Sequence, residues 1–252
     1  MKSFQTLFSI AFLLTTLFIV IGCESEEDVD FNASLTLEFQ AIANGQPLEF
    51  NTTNYSTASG SVISIDRMKF YLSNLQLINS ETGEAFVEQD GYHLISLNDQ
   101  EEMYSFTIEN LRSDFKFGKI QFAIGVDADK NASIDNVGDL DPTNDMAWNW
   151  NTGYKFFLME GLFYPGVDQE NKGLVLHIGL DRNFKTLEFL TDNPIDIVGL
   201  NTLHFTLDGL APFNSPNEID LKNKSAYKVD EDSDKIAENY ANGLIRLSSI
   251  SR

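Results

Sequence analysis

Short segments with a hydrophobic residue at every second position recur from residue 35 to residue 207 of this chain. The first places Leu35, Leu37 and Phe39 between polar neighbours and ends at the turn signal Asn44-Gly45. Further segments rich in aromatic and branched residues follow at 68–77, 92–97, 104–108, 119–124, 155–163, 173–180, 186–190 and 202–207. Because turn residues separate them at short intervals, the pattern predicts an all-β sandwich or barrel rather than alternating strands and helices.

One helix is predicted, late in the chain. Ile236, Ala237, Tyr240, Ala241 and Leu244 fall on one helical face after Ser233-Asp234. We therefore expect a β-sandwich-like single domain over residues 33–252 that carries a short C-terminal helix.

The N-terminal segment is typical of a bacterial lipoprotein precursor. Residues 1–22 combine a basic start with an apolar run and end in Gly22 before Cys23, which predicts a cleaved signal peptide and lipidation of Cys23. The alternative, a transmembrane anchor, is disfavoured because the apolar run of about 15 residues is shorter than the roughly 20 that a spanning helix needs. We expect an outer membrane lipoprotein that faces either the periplasm or the cell surface.

Residues 23–32 form a predicted acidic tether, which resembles the surface-export signal of Bacteroidota lipoproteins. The net charge of −21 becomes −22 once the signal peptide and its one basic residue, Lys2, are removed. Such an acidic protein is not expected to bind nucleic acid through its phosphates, but it should attract cations. With Cys23, the only cysteine, acylated, we expect no disulfide and no thiolate metal site.

An acidic loop between residues 125 and 145 offers oxygen ligands for calcium. Asp127, Asp129 and Asn131 have the one-three-five spacing of a calcium loop, whereas Ala132 and Gly138 replace the glycine and glutamate of an EF-hand. A different cage could be completed by three further carboxylates, Asp135, Asp139 and Asp141. The alternative is a solvated loop without a metal.

The three histidines are His93, His177 and His204. His177 and His204 each lie opposite the aliphatic face of a predicted strand, so their imidazoles could meet if the two strands were neighbours. Neutral imidazole suits copper and zinc, and the affinity order favours copper. No nucleophile elbow or phosphate-binding loop is present, so we do not expect an enzyme.

A tryptophan-rich block between residues 146 and 156 gives the chain a family resemblance. It contains Trp148, Trp150, Tyr154 and Phe156, and it is followed by Glu160-Gly161 and His177-Ile178-Gly179. Together with Phe70-Tyr71-Leu72-Ser73-Asn74, Tyr92-His93-Leu94 and Phe122-Ala123-Ile124-Gly125-Val126-Asp127, this block resembles the MbnP-like family, the methanobactin-associated copper-binding proteins.

The resemblance implies a β-rich exported domain that binds copper. In characterised relatives a tryptophan is oxidised to kynurenine and joins two histidines on Cu(I), and a dihaem peroxidase-like partner is associated with that oxidation. Trp148 and Trp150 both match the motif, and His177 matches its His-x-Gly position. Those relatives place a histidine within two residues of the modified tryptophan, where this chain has Met146, Asn149 and Asn151.

Two functions follow from these observations. The first is a cell-envelope lipoprotein that binds copper through its histidines, His177 with His204 ahead of His93, and through an oxidised tryptophan. The alternative is a structural or ligand-capturing surface lipoprotein in which the tryptophans only pack in an aromatic cluster with Tyr154 and Phe156 and calcium stabilises the acidic loop.

Overall fold

A computed structural model describes residues 30–52, 54–148, 153–200 and 202–252. The predicted signal peptide, the lipidation site Cys23 and the second tryptophan, Trp150, lie outside these described residues. No helix within the described ranges is long and apolar enough to cross a membrane.

The described residues form two β-sheets, three short α-helices and three 3-10 turns. The strands are β1 Ala33–Ala43, β2 Gln46–Pro47, β3 Tyr55–Ser56, β4 Val62–Ile78, β5 Ala85–Val87, β6 Tyr92–Asn98, β7 Met103–Leu111, β8 Lys116–Ile124, β9 Lys155–Tyr164, β10 Lys172–Gly179, β11 Lys185–Asp196, β12 Thr202–Asp208, β13 Ala226–Tyr227 and β14 Ile245–Ser251. The helices are α1 Ala128–Asn131, α2 Ala211–Asn214 and α3 Glu231–Gly243, and the 3-10 turns are Gly138–Leu140, Pro142–Asn144 and Asp181–Asn183.

The two sheets pack face to face, which confirms the predicted all-β sandwich. The first sheet has the order β14-β12-β1-β2, with β7 also paired to β1. The second has the order β11-β8-β4-β9-β10-β13, with β3, β5 and β6 also paired to β4. Side chains that alternate inward from both sheets form one core, in which Phe39 and Phe205 of the first sheet contact Phe122 of the second.

The predicted helix is present as α3, but it does not end the fold. It begins with a capping box between Asp230 and Ser233, and it buries Ile236, Ala237 and Tyr240. The chain then continues into β14, which pairs antiparallel with β12 and was not predicted. Without β14, strand β12 would present an unpaired edge, so this pairing completes the first sheet.

A second, smaller hydrophobic cluster covers part of the outer surface of the second sheet. It is formed by Tyr71, Val126, Leu140, Met146, Tyr154, Phe156 and Leu158. Leu158 points into this cluster, whereas its neighbours Phe157 and Met159 point into the main core. Described residues between β8 and β9, among them Leu140, Met146 and Tyr154, thus pack over the outer surface of the sheet.

Candidate functional site

Three adjacent strands, β4, β9 and β10, place the candidate site on the outer surface of the second sheet. Leu174, Leu176 and Ile178 of β10 belong to the main core, so His177 between them projects outward. On β9, Glu160 is the register partner of Arg67 on one side and of Val175 on the other. This register brings together Glu160 from β9, Arg67 from β4 and His177 from β10.

Glu160 links the other two side chains. Its Oε1 lies 2.7 Å from His177 Nε2, and its Oε2 accepts a hydrogen bond of 2.7 Å from Arg67 Nε. Arg67 also donates through Nη2 to Asp145 Oδ2 at 3.0 Å. The network therefore runs from the histidine, through β9 and β4, to the loop that precedes Trp148.

Cationic side chains hold the turn at Asn144 and Asp145 against the sheet. Lys69 Nζ donates to the Asn144 carbonyl oxygen at 3.2 Å, and Lys155 Nζ donates to the Asp145 carbonyl oxygen at 2.7 Å. Asp145 adopts a left-handed backbone conformation with φ of 63°. Because Arg67 binds the Asp145 carboxylate as well, both the backbone and the side chain of this turn are fixed.

Trp148 is buried, with only 4% of its surface exposed, and it lies against Gly179. A β-carbon at Gly179 would lie 3.0 Å from Trp148 Cζ2 and 3.2 Å from Trp148 Nε1, so the absent side chain is what admits the indole. Gly179 follows His177 by two residues, so the two backbone positions are roughly 7 Å apart, and the pairing of β10 with β9 shifts register between Ile178 and Gly179. Trp148 therefore contacts the glycine of the His-x-Gly motif.

The charges at this site are set by burial and by the network. Burial lowers the pKa of His177, and the hydrogen bond to Glu160, which favours the charged ring, offsets this only in part. Burial acts to raise the pKa of Glu160, but the hydrogen bonds with Arg67 and His177 outweigh it and leave that pKa lowered. At neutral pH the site therefore combines a neutral imidazole with an ionised carboxylate.

His204 does not join this site. Its neighbours Leu203 and Phe205 pack in the same core as Leu176 and Ile178, but from the other sheet, so His204 and His177 project from opposite outer surfaces. Strand β10 is flanked by β9 and β13, whereas β12 is flanked by β1 and β14. The hypothesis that these two imidazoles meet is therefore wrong.

Both ring nitrogens of His204 already have partners. Its Nδ1 lies 2.7 Å from Glu38 Oε1, and its Nε2 lies 2.9 Å from Ser251 Oγ. The Ser251 contact depends on strand β14, whose pairing was not predicted.

His93 occupies a third environment. Its Nε2 lies 3.0 and 2.9 Å from the two carboxylate oxygens of Glu88, and its ring stacks on Phe106 of the first sheet with centroids 3.6 Å apart. In the part of the chain that the structure describes, no three histidine, aspartate or glutamate residues form a group that could hold a metal ion.

The acidic loop residues do not converge either. Asp127 caps α1 through a hydrogen bond from the Lys130 backbone and also accepts one from the Tyr92 hydroxyl. Asp139 accepts from the Leu94 backbone at 2.7 Å, and Asp141 accepts from the Thr143 backbone at 2.8 Å.

The remaining members of the predicted set lie apart from these. The Asn131 side chain bonds the Asp181 carboxylate and the Tyr154 backbone, while Asp129 and Asp135 are exposed. A calcium cage built from the six predicted residues is therefore not formed, because four of these side chains are hydrogen-bonded to different parts of the protein and the other two are exposed.

Several residues of the network were not predicted as site residues. Arg67 and Lys69 are charged residues at alternate positions of the largely buried strand β4, and Glu160 has the same character on β9. Such charges in the middle of buried strands are a usable signal, since a charge there needs a partner. The partners themselves, Asp145 and His177, could not be chosen without the register.

Comparisons with known proteins agree with this fold. The chain matches the family model MbnP over residues 32–236. It is similar to the solved structure of MbnP from Methylosinus trichosporium, with a TM-score of 0.55 and 13% sequence identity, over 81% of this chain and 86% of that one. At this identity the structural likeness concerns the fold alone. No curated protein matches the chain. The match to the family model covers most of the chain, so the protein belongs to the MbnP family.

Proposed function

We propose that this protein is a copper-binding lipoprotein of the cell envelope, a binding protein rather than an enzyme, with His177 as its principal ligand. The observation that carries this proposal is the packing of Trp148 on β10 next to the His-x-Gly motif. Trp148 and His177 are separated by 28 intervening residues in the sequence, yet Trp148 packs on Gly179, two positions from His177. These are the two elements through which the chain resembles the copper-binding members of the family.

The chemistry of the site fits copper in part. A neutral imidazole is a suitable copper ligand, and the pKa of His177 is lowered by burial. An unmodified indole N–H can only donate a hydrogen bond, so Trp148 could bind the metal only after oxidation. Kynurenine would supply an aromatic amine, and we propose a dihaem peroxidase-like partner as the oxidant.

The second histidine of the characterised relatives has no counterpart here among the described residues. His204 projects from the opposite surface, and His93 is held by Glu88 and Phe106. We therefore propose a site built from one histidine and a modified Trp148. Its affinity for Cu(I) should be weak in protein made in a foreign host, which lacks the oxidising partner.

Copper titration tests this proposal directly. Mature protein purified from its own host is compared with His177→Ala and, as a matched control on the opposite surface, His204→Ala. We expect His177→Ala to lose copper binding and His204→Ala to keep it.

Mass spectrometry of the same native protein should locate a tryptophan that has lost one carbon and gained one oxygen. Equal copper binding by the parent and both variants would contradict the assignment. The same conclusion would follow if native protein carried neither copper nor kynurenine, and Trp148 would then have only a packing role.

A further inference from the structure

We propose that Glu160 is a positioning residue that holds His177 with its proton on Nε2, so that Nδ1 is the nitrogen available to a metal. The assignment of the tautomer rests on the hydrogen-bond geometry between an ionised carboxylate and a neutral imidazole. Its consequence for copper rests on the proposed function, and the experiments below separate the two.

The first step concerns Nε2. It lies 2.7 Å from Glu160 Oε1, and an ionised carboxylate can only accept hydrogen bonds. The second oxygen of the same carboxylate is occupied by Arg67 Nε, which can only donate. Both oxygens of Glu160 therefore act as acceptors, and the proton between Glu160 and His177 has to be carried by Nε2.

The second step concerns Nδ1. A neutral imidazole has a single N–H, so a proton on Nε2 leaves the lone pair of Nδ1 free. Nδ1 makes no hydrogen bond with the described residues, whereas Nε2 is used. A carboxylate that holds the far nitrogen of a histidine is the usual arrangement behind a metal-binding imidazole, where it fixes the ring orientation and increases ligand basicity.

The third step links the histidine to Trp148. Arg67 binds Glu160 through Nε and Asp145 through Nη2, and Asp145 lies three residues before Trp148. One guanidinium thus ties the carboxylate that orients His177 to the turn that places the indole. A substitution of Glu160 should therefore change the orientation of His177 directly and the position of Trp148 indirectly, through Arg67 and Asp145.

The chain contains its own matched control in His204. There the carboxylate of Glu38 lies at Nδ1, and the hydroxyl of Ser251, which can donate, lies at Nε2. The same reasoning assigns the proton of His204 to Nδ1, the reverse of His177. The two half-buried histidines should therefore show opposite tautomers in one spectrum of one protein.

The test is a long-range ¹H–¹⁵N correlation spectrum of metal-free protein labelled with ¹⁵N at histidine, recorded for the parent, Glu160→Gln and Glu38→Gln. We expect the Nε2–H form for His177 and the Nδ1–H form for His204 in the parent. Glu160→Gln should remove the preference of His177 only, because an amide can donate as well as accept. Glu38→Gln should change His204 only.

A copper(I) titration of the same variants gives the second readout. Removing a partner that orients a metal-binding histidine typically weakens metal affinity by about 10- to 100-fold, so Glu160→Gln should bind copper more weakly by that factor. Glu38→Gln should bind like the parent.

The parent spectrum decides the tautomer without any variant, so a folding defect in Glu160→Gln cannot hide the answer. An Nδ1–H form for His177, or a spectrum that Glu160→Gln leaves unchanged, would overturn the positioning role. If the tautomers are as expected but the parent and His177→Ala bind copper equally, the role of Glu160 stands and the proposed copper function fails.

Discussion

Gly179 is the position at which the packing of Trp148 on β10 can be tested with a single methyl group. In Gly179→Ala the new β-carbon would lie 2.4 Å from the Tyr154 carbonyl oxygen and 3.0 Å from Trp148 Cζ2. The first of these atoms belongs to the backbone and cannot rotate away, so the indole or the strand has to shift. Gly173 provides a matched control on the same strand, since a β-carbon there meets nothing within 4 Å.

The size of the effect follows from this crowding. Overpacking a well-packed site typically costs about 1–3 kcal/mol, and a backbone atom in the way places Gly179→Ala in the upper half of that range, about 2 kcal/mol or more. For a domain of about 150–250 residues each kcal/mol lowers the melting temperature by about 2–4 °C, so we expect a decrease of about 4–8 °C. Gly173→Ala should change the free energy of unfolding by no more than about 0.5 kcal/mol.

Urea unfolding monitored by circular dichroism measures the free energy, and tryptophan fluorescence reports the local change. Gly179→Ala should shift emission to longer wavelength as the indole is displaced from its buried position, and Gly173→Ala should not. If Gly179→Ala matched Gly173→Ala in both measurements, the indole would not be packed on Gly179. The proposed function would then lose its main support, which is the packing of Trp148 next to the His-x-Gly motif.

Three further predictions concern the anchor, the pH dependence and the acidic loop. Cys23→Ala should move the protein from the membrane fraction to the soluble fraction, since the predicted acylation site is lost; membrane retention would contradict the lipoprotein assignment. The lowered pKa of His177 means that the unfolded chain takes up the proton first, so stability should fall as pH drops below about 6.5, and His177→Gln should flatten this dependence; identical pH profiles would refute it. The melting temperature should be the same in chelator and in millimolar calcium, because Asp127, Asp139 and Asp141 accept hydrogen bonds from separate parts of the protein and do not converge; a clear rise with calcium would restore the predicted cage.

Much of the fold could be read from local patterns in the sequence. Alternation of hydrophobic residues identified the long strands, because successive side chains of a strand face opposite sides and the pattern needs only a few neighbouring residues. The same reasoning showed that His177 and His204 leave the core faces of their strands, and the structure agrees. Strand β14 was missed because its hydrophobic alternation breaks between Leu247 and Ile250 and because it follows directly on a helix with a clear 3.6-residue period.

The site itself was decided by tertiary structure. Arg67 and Glu160 are separated by 93 positions and Trp148 and Gly179 by 31, so only the register of β4, β9 and β10 brings them together. Strand order also decided that His177 and His204 lie on opposite surfaces, which no local pattern could reveal. The sequence alone determined that His177 and His204 leave the core faces of their strands, since the side that a residue occupies is a local property. Which of them meet depends on pairing between distant segments, and that is a property of the whole chain.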